Sequence, residues 1–134
     1  MIKDSKSAES LAKILSEALP YIQKFSGKIV VIKYGGSAMK ENKLRQNFAR
    51  DIALMRQIGI FPVLVHGGGP QIERNLKKHN IKSVFIDGLR KTDENSIKTI
   101  VKTLRAVNGD IAELIKTWGA RTKTFNDVRE SIFI

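Results

Sequence analysis

Two short apolar runs in this chain each end in a cluster of glycines, and each cluster opens onto a stretch with helical spacing. The first run is Lys28 to Lys33, followed by Tyr34-Gly35-Gly36-Ser37. The second is Ile60 to Val65, followed by His66-Gly67-Gly68-Gly69-Pro70. The first run, β-branched and without polar alternation, predicts a strand buried on both faces, as in a parallel sheet, and the second reads as the next apolar strand. Strand, glycine loop and helix in repetition point to an α/β fold. In such folds ligands sit at the carboxyl ends of the strands, where both loops fall.

The other segments fit that frame. Ala8, Leu11, Ala12, Leu15, Ala18, Leu19 and Ile22 recur at helical steps, so Ser5 to Gln23 reads as an amphipathic helix. Pro20 is expected to kink or stop it, and Ser26-Gly27 marks a turn in a linker. Leu44, Phe48, Ile52 and Met55 predict a helix from Asn42 to Gln57, closed by Gly59. Pro62 counts against a central position for the second strand. Pro70 suits the first turn of a helix reaching Lys78. Ile81 to Ile86 reads as a strand that can pair with Gly88 to Lys91 in a hairpin. Thr92 is the expected cap of the next helix, with Asp93 and Glu94 in its first turn. An apolar stripe then runs from Ile97 to Trp118 across Gly109, as one long helix or two in sequence, ended by Gly119. The expected architecture is α/β, with a mostly parallel central sheet flanked by helices and an N-terminal amphipathic helix. Its divisions are a helix and linker at 1–27, a lobe at 28–119 and a tail of different character at 120–134.

Composition narrows the function classes. At 134 residues and 42% hydrophobic content the chain can build one core. There are 24 Lys and Arg against 13 Asp and Glu, a formal charge of +11. The basic residues are dispersed, with Lys77-Lys78 as the densest pair, and no helix-turn-helix signature or aromatic platform accompanies them. A solvated lysine-rich surface is the reading favoured over nucleic-acid binding, though such a surface still attracts small anions. The absence of cysteine excludes disulfides, thiolate metal sites and a cysteine nucleophile. No apolar stretch is long enough to span a bilayer, and the polar N-terminus lacks an apolar signal core, so an intracellular protein is expected.

Several residues could carry chemistry. Neither glycine loop is a Walker motif or a dinucleotide fingerprint. Each alone could serve as a tight strand-to-helix turn. Together, with Lys33 at a strand end, they favour an anion site. Lys33 could neutralise charge on a phosphoryl group in transfer, or be an exposed strand-end lysine; local sequence weighs these equally. His66 has one other histidine in the chain, His79, and no carboxylate at ligand spacing, so a loop-positioning role is favoured and no metal site is expected. Arg90 could bind a carboxylate through its fork or lie on the surface, and local sequence leaves that open.

Ile32-Lys33-Tyr34-Gly35-Gly36, Val65-His66-Gly67-Gly68-Gly69-Pro70 and Gly88-Leu89-Arg90-Lys91-Thr92-Asp93, in this order, resemble the N-acetylglutamate kinase family, whose members have the amino acid kinase fold. The resemblance covers about residues 5 to 119. It implies that Lys33 stabilises the transition state and that Gly35 and Gly36 face the nucleotide phosphates. It implies that Gly68 and Gly69 bind substrate and that Arg90 holds the substrate's α-carboxylate. The implied reaction moves the γ-phosphoryl group of ATP, with Mg2+, to the side-chain carboxylate of N-acetyl-L-glutamate, a step of arginine biosynthesis in the cytoplasm or a plastid stroma. The implied partners are these small molecules and further copies of the chain, as a dimer or as a hexamer linked through the N-terminal helix, with no nucleic acid and no membrane. Lys91 replaces the apolar residue usual after Gly-Leu-Arg, and Arg105-Ala106-Val107-Asn108-Gly109 departs from the family's Gly-Lys-Val-Asn-Lys. The family's second half, with its adenine pocket, second lysine and asparagine, is not recognisable here. Weak or absent turnover is therefore expected of the isolated 134-residue chain. Two other readings follow from the same residues: a non-catalytic module that pairs with a full-length kinase or regulatory partner, and a kinase acting on aspartate or carbamate, against which the context of Arg90 argues.

Overall fold

The computed structural model describes residues 4–36, 38–39 and 41–125. Its elements run α1 (Ser5–Phe25), β1 (Ile29–Tyr34), α2 (Asn42–Gln57), β2 (Phe61–His66), α3 (Gly69–Lys78), β3 (Val84–Ile86), β4 (Leu89–Lys91) and α4 (Glu94–Lys116). β1 and β2 pair in parallel, from Ile29 opposite Phe61 to Tyr34 opposite His66. β3 and β4 form a separate antiparallel hairpin. The hairpin turns on Asp87 and Gly88, at φ 49° and 79°. Two left-handed residues in succession give the turn whose twist matches the strands it joins.

α4 is the central support. Its buried Ile115 joins Ala49, Ile52 and Ala53 of α2, with Ile32 and Leu64 of the strands packed against them. Its Val107 meets Tyr34 and Met39, and its Ile100 meets Ile72 and Leu76 of α3. The stripe crosses Gly109 without a break, so the two-helix alternative is not realised. A polar tie reinforces the α3 contact: Asn75 Nδ2 donates to Thr103 Oγ1 at 2.9 Å, and that buried hydroxyl donates to the Thr99 carbonyl at 2.7 Å. Ala120, just past the left-handed Gly119 (φ 85°), is buried in the same core as Ile115. Residues 126–134 of the expected tail lie outside the described residues.

Four expectations are corrected. First, β1 is buried on one face and not on both. α2 and α4 cover the side bearing Ile32 and Leu64, while Ile29, Val31, Phe61 and Val65 stay exposed opposite. Second, Pro20 does not stop α1, which continues to Phe25. Proline removes one bond to the Ser16 carbonyl, and no residue of α1 is buried, so water can satisfy that oxygen. Third, Ile81 to Ser83 are not strand. The Ile81 N–H donates to the Leu76 carbonyl, which ties it to the end of α3. Fourth, Asp93, not Thr92, caps α4. Thr92 donates its hydroxyl to the Arg90 carbonyl instead.

Pro62 fits because of its edge. The Phe61 N–H donates to the Lys28 carbonyl, so ladder alternation turns the next nitrogen away from β1, where no described strand needs a donor.

Asp93 accepts from the Ser96 N–H at 2.8 Å and Ser96 Oγ accepts from the Asp93 N–H at 3.0 Å, a reciprocal capping box. Hydrogen bonds from Ser96 hold the Asp93 carboxyl below the ordinary aspartate range. A carboxyl depressed in the folded state stabilises it above the unfolded value and loses that contribution as pH falls through the folded value. Asp93→Ala is therefore expected to lower the melting temperature at neutral pH. The gap to wild type should begin to narrow below about pH 4, the ordinary aspartate range. Paired thermal melts at pH 7 and pH 3 check this; a gap undiminished at pH 3 counts against it.

Candidate active site

Because β1 and β2 end in register, both glycine loops leave the sheet at one edge. They nearly touch there: a Cβ on Gly36 would lie 3.8 Å from Pro70 Cδ. Gly35, Gly67 and Gly69 have open space where a Cβ would be. Their backbone is thus open to a close-approaching ligand. Gly68 differs. A Cβ there would sit 2.9 Å from Leu104 Cδ2, so this buried glycine makes room for α4.

The helix starts divide in the same way. α1 and α4 are capped by the side chains of Asp4 and Asp93. α2 and α3, the two helices that follow the glycine loops, have no side-chain cap. Their first-turn N–H groups are left with the partial positive charge that suits an anion.

Below the loop junction lies a cavity of about 360 Å³, lined by Tyr34, Gly36, Pro70 and Val107 among others. Arg45 from α2 and Arg74 from α3 also line it, with Asp110 of α4. Gln71 Oε1 is buried without a hydrogen-bond partner among the described residues. Tyr34 stacks flat on Phe48, ring centroids 3.8 Å apart, and donates its hydroxyl to the Ala38 carbonyl at 3.2 Å. Burial pushes the Tyr34 phenol up, and Arg45 opposes that in part.

Lys33 does not line this cavity. It sits opposite Val65 on the exposed sheet face, one residue before the loop, and no described residue pairs with its ammonium. His66 is half-buried, its Nδ1 2.9 Å from the Gly67 carbonyl, which matches a loop-positioning role. Among the described residues no group of three or more His, Cys, Asp or Glu could hold a metal ion, and no helix is long and apolar enough to cross a membrane.

Arg90 is not a free surface arginine. Its Nη1 and Nη2 both donate to Glu73 Oε2 at 3.1 Å, Nη1 also donates to Ser83 Oγ, and its guanidinium lies 4.6 Å from the Phe85 ring centroid.

The profile of the amino acid kinase family matches residues 28–124. The chain belongs to that family. The acetylglutamate kinase of Aquifex aeolicus (strain VF5) is 53% identical over 108 residues, covering 80% of this chain and 36% of that protein. The acetylglutamate kinase of Stutzerimonas stutzeri (strain A1501) is 52% identical over 120 residues, covering 89% of this chain and 40% of that protein. This amino acid kinase chain thus spans about two-fifths of the length of these relatives. Among solved structures, N-acetylglutamate synthase from Neisseria gonorrhoeae, complexed with coenzyme A and N-acetyl-glutamate, superposes with a TM-score of 0.60 at 28% identity. That match covers 78% of this chain and 23% of the synthase. The α/β reading and the family resemblance therefore both hold.

Reading the sequence missed four polar members of this kinase-family fold: Arg45, Arg74, Glu73 and Ser83. Pro70 at the helix start fixes which residues of α3 follow the loop, so Arg74 could have been found one turn on. Nothing local links Glu73 to Arg90, because they meet only when the hairpin folds back beside α3.

Proposed function

We propose that the chain carries the acyl-amino-acid half of an acetylglutamate kinase site. The observation that carries the reading is the convergence of two glycine loops and two uncapped helix starts at one sheet edge. Lys33 at that edge and Arg90, half-buried against Phe85, are the two cations the reading needs. ATP, with Mg2+, would supply the phosphoryl group. Gly35 and Gly36 would face its phosphates, while Gly68 and Gly69 would border N-acetyl-L-glutamate. Arg90 would hold the α-carboxylate, leaving the side-chain carboxylate to attack the γ-phosphorus as the bond to the leaving ADP breaks. Lys33 would neutralise the charge that spreads over the phosphoryl oxygens in the transition state. No covalent intermediate is needed, since positioning and charge neutralisation supply the rate.

In this reading residues 28–119 form the substrate lobe, 1–27 an appended helix and linker, and 120–134 a tail. The reaction belongs to arginine biosynthesis in the cytoplasm or a plastid stroma. The exposed stripe of α1, with Leu15 65% and Leu19 50% exposed, supports assembly into a homo-oligomer.

A second reading is a non-catalytic module that pairs with a full-length kinase. The uncovered apolar sheet face favours it. One experiment separates the two. Residues 28–124 replace the matching segment of the Aquifex aeolicus kinase, and ADP release is followed with N-acetylglutamate. Turnover within about ten-fold of the parent is expected, while the 134-residue chain alone falls at least about 10²-fold short, because transition-state donors are each worth that much. A folded chimera that binds N-acetylglutamate without turning over favours the non-catalytic module.

A further inference from the structure

Glu73 closes one edge of Arg90. Its Oε2 accepts from both Nη1 and Nη2 at 3.1 Å. Ser83 completes a triangle: its hydroxyl donates to the same Glu73 oxygen at 2.8 Å and accepts from Arg90 Nη1. The Phe85 ring lies against the guanidinium. These contacts come from three separate segments: α3, the approach to β3, and the hairpin itself.

What is left of the guanidinium matters most. Arg90 Nε donates to no described residue, so Nε and Nη2 remain as a side-on pair of donors. Two parallel N–H groups of this kind match a carboxylate bidentately. The Arg90 side chain keeps 15% of its exposure.

We propose that Glu73, with Ser83, is a positioning residue for Arg90. It fixes the Nη1–Nη2 edge and so presents the Nε–Nη2 edge to the α-carboxylate of the acyl-amino-acid substrate. The inference rests on the reading of Arg90 as the ligand of that carboxylate. A carboxylate beside a carboxylate site also repels the ligand. Glu73, however, is 56% exposed at its side chain, where water and salt screen that repulsion. Holding a long side chain in its bound rotamer avoids an entropy cost worth roughly two- to ten-fold in affinity, so ordering outweighs repulsion.

Calorimetric titration of the 134-residue chain tests this with N-acetylglutamate and with N-acetyl-isoglutamine, its α-carboxamide. Glu73→Ala is expected to weaken N-acetylglutamate binding about three- to ten-fold and to leave the amide unmoved. Glu73→Gln, which keeps an acceptor, should recover most of the loss. Arg90→Ala should cost more than about ten-fold for the acid. If Arg90→Ala binds like wild type, the reading of Arg90 fails. If Arg90→Ala loses affinity while Glu73→Ala binds equally or more tightly, positioning alone fails and Glu73 is a competitor for the fork. A ligand-free measurement decides the positioning claim independently. The Arg90 Nη1 and Nη2 NMR signals should be resolved in wild type and in Glu73→Gln, and averaged by rotation in Glu73→Ala. Signals that stay resolved in Glu73→Ala overturn the proposal.

Discussion

Leu76→Ala is expected to lower the unfolding free energy by about 2–5 kcal/mol. Leu76 is 1% exposed and sits where α3 meets α4, beside Ile72 and Ile100, with Ile81 and Leu104 packed around it. Truncation removes the transfer free energy of the side chain and leaves a void. The surrounding helices relax only in part around such a void, so a cavity term adds to the loss. Domains of this size have roughly 5–15 kcal/mol to lose, so the variant should unfold at a visibly lower urea concentration, read by circular dichroism. Leu15→Ala in α1 is the contrast. That leucine is 65% exposed, and a surface change of this kind stays within about 0.5 kcal/mol. Equal midpoints for the two variants would show that the α3–α4 contact is not the core of the unit. The site should feel the loss as well, since Leu104 packs both on this cluster and over Gly68.

The parts of the fold that were readable are those with a local cause. Asn42 to Gln57 is helical because its apolar residues recur at helical spacing, and both its ends lie where that pattern begins and stops. Asp87-Gly88 turns a hairpin because both residues tolerate positive φ. The cap of α4 was misplaced by one residue, since Thr92 and Asp93 are both good caps and the Ser96 that selects Asp93 lies three residues on. β1 departs from its expected burial for a different reason. KIVVIK carries enough apolar surface for two buried faces, yet the described helices cover one. The same split runs through the site. The glycine loops announce themselves in sequence. The pairing of Arg90 with Glu73 depends on a separation of seventeen residues and on where the hairpin lands, which no local pattern encodes.

Lys33→Met, made in the chimera with the Aquifex aeolicus kinase, is expected to lower kcat by about 10²–10³ with little change in the KM for N-acetylglutamate. Lys33 sits at the carboxyl edge of β1, immediately before Tyr34 and the first glycine loop, with its ammonium unpaired among the described residues. A cation held there contributes most when negative charge on the phosphoryl oxygens moves, which is in the transition state and not in the bound substrate. Arg90→Ala should do the opposite and act chiefly on KM, because a carboxylate ligand binds ground state and transition state alike. Lys33→Arg should restore part of the rate at most, since a planar guanidinium cannot replace a compact point charge in a glycine-lined turn. Lys77→Met, on the exposed side of α3, controls for loss of general positive charge and should leave kcat near that of the parent chimera. A kcat loss in Lys33→Met no greater than in Lys77→Met would remove Lys33 from the reaction and leave its strand-end position as a matter of solubility.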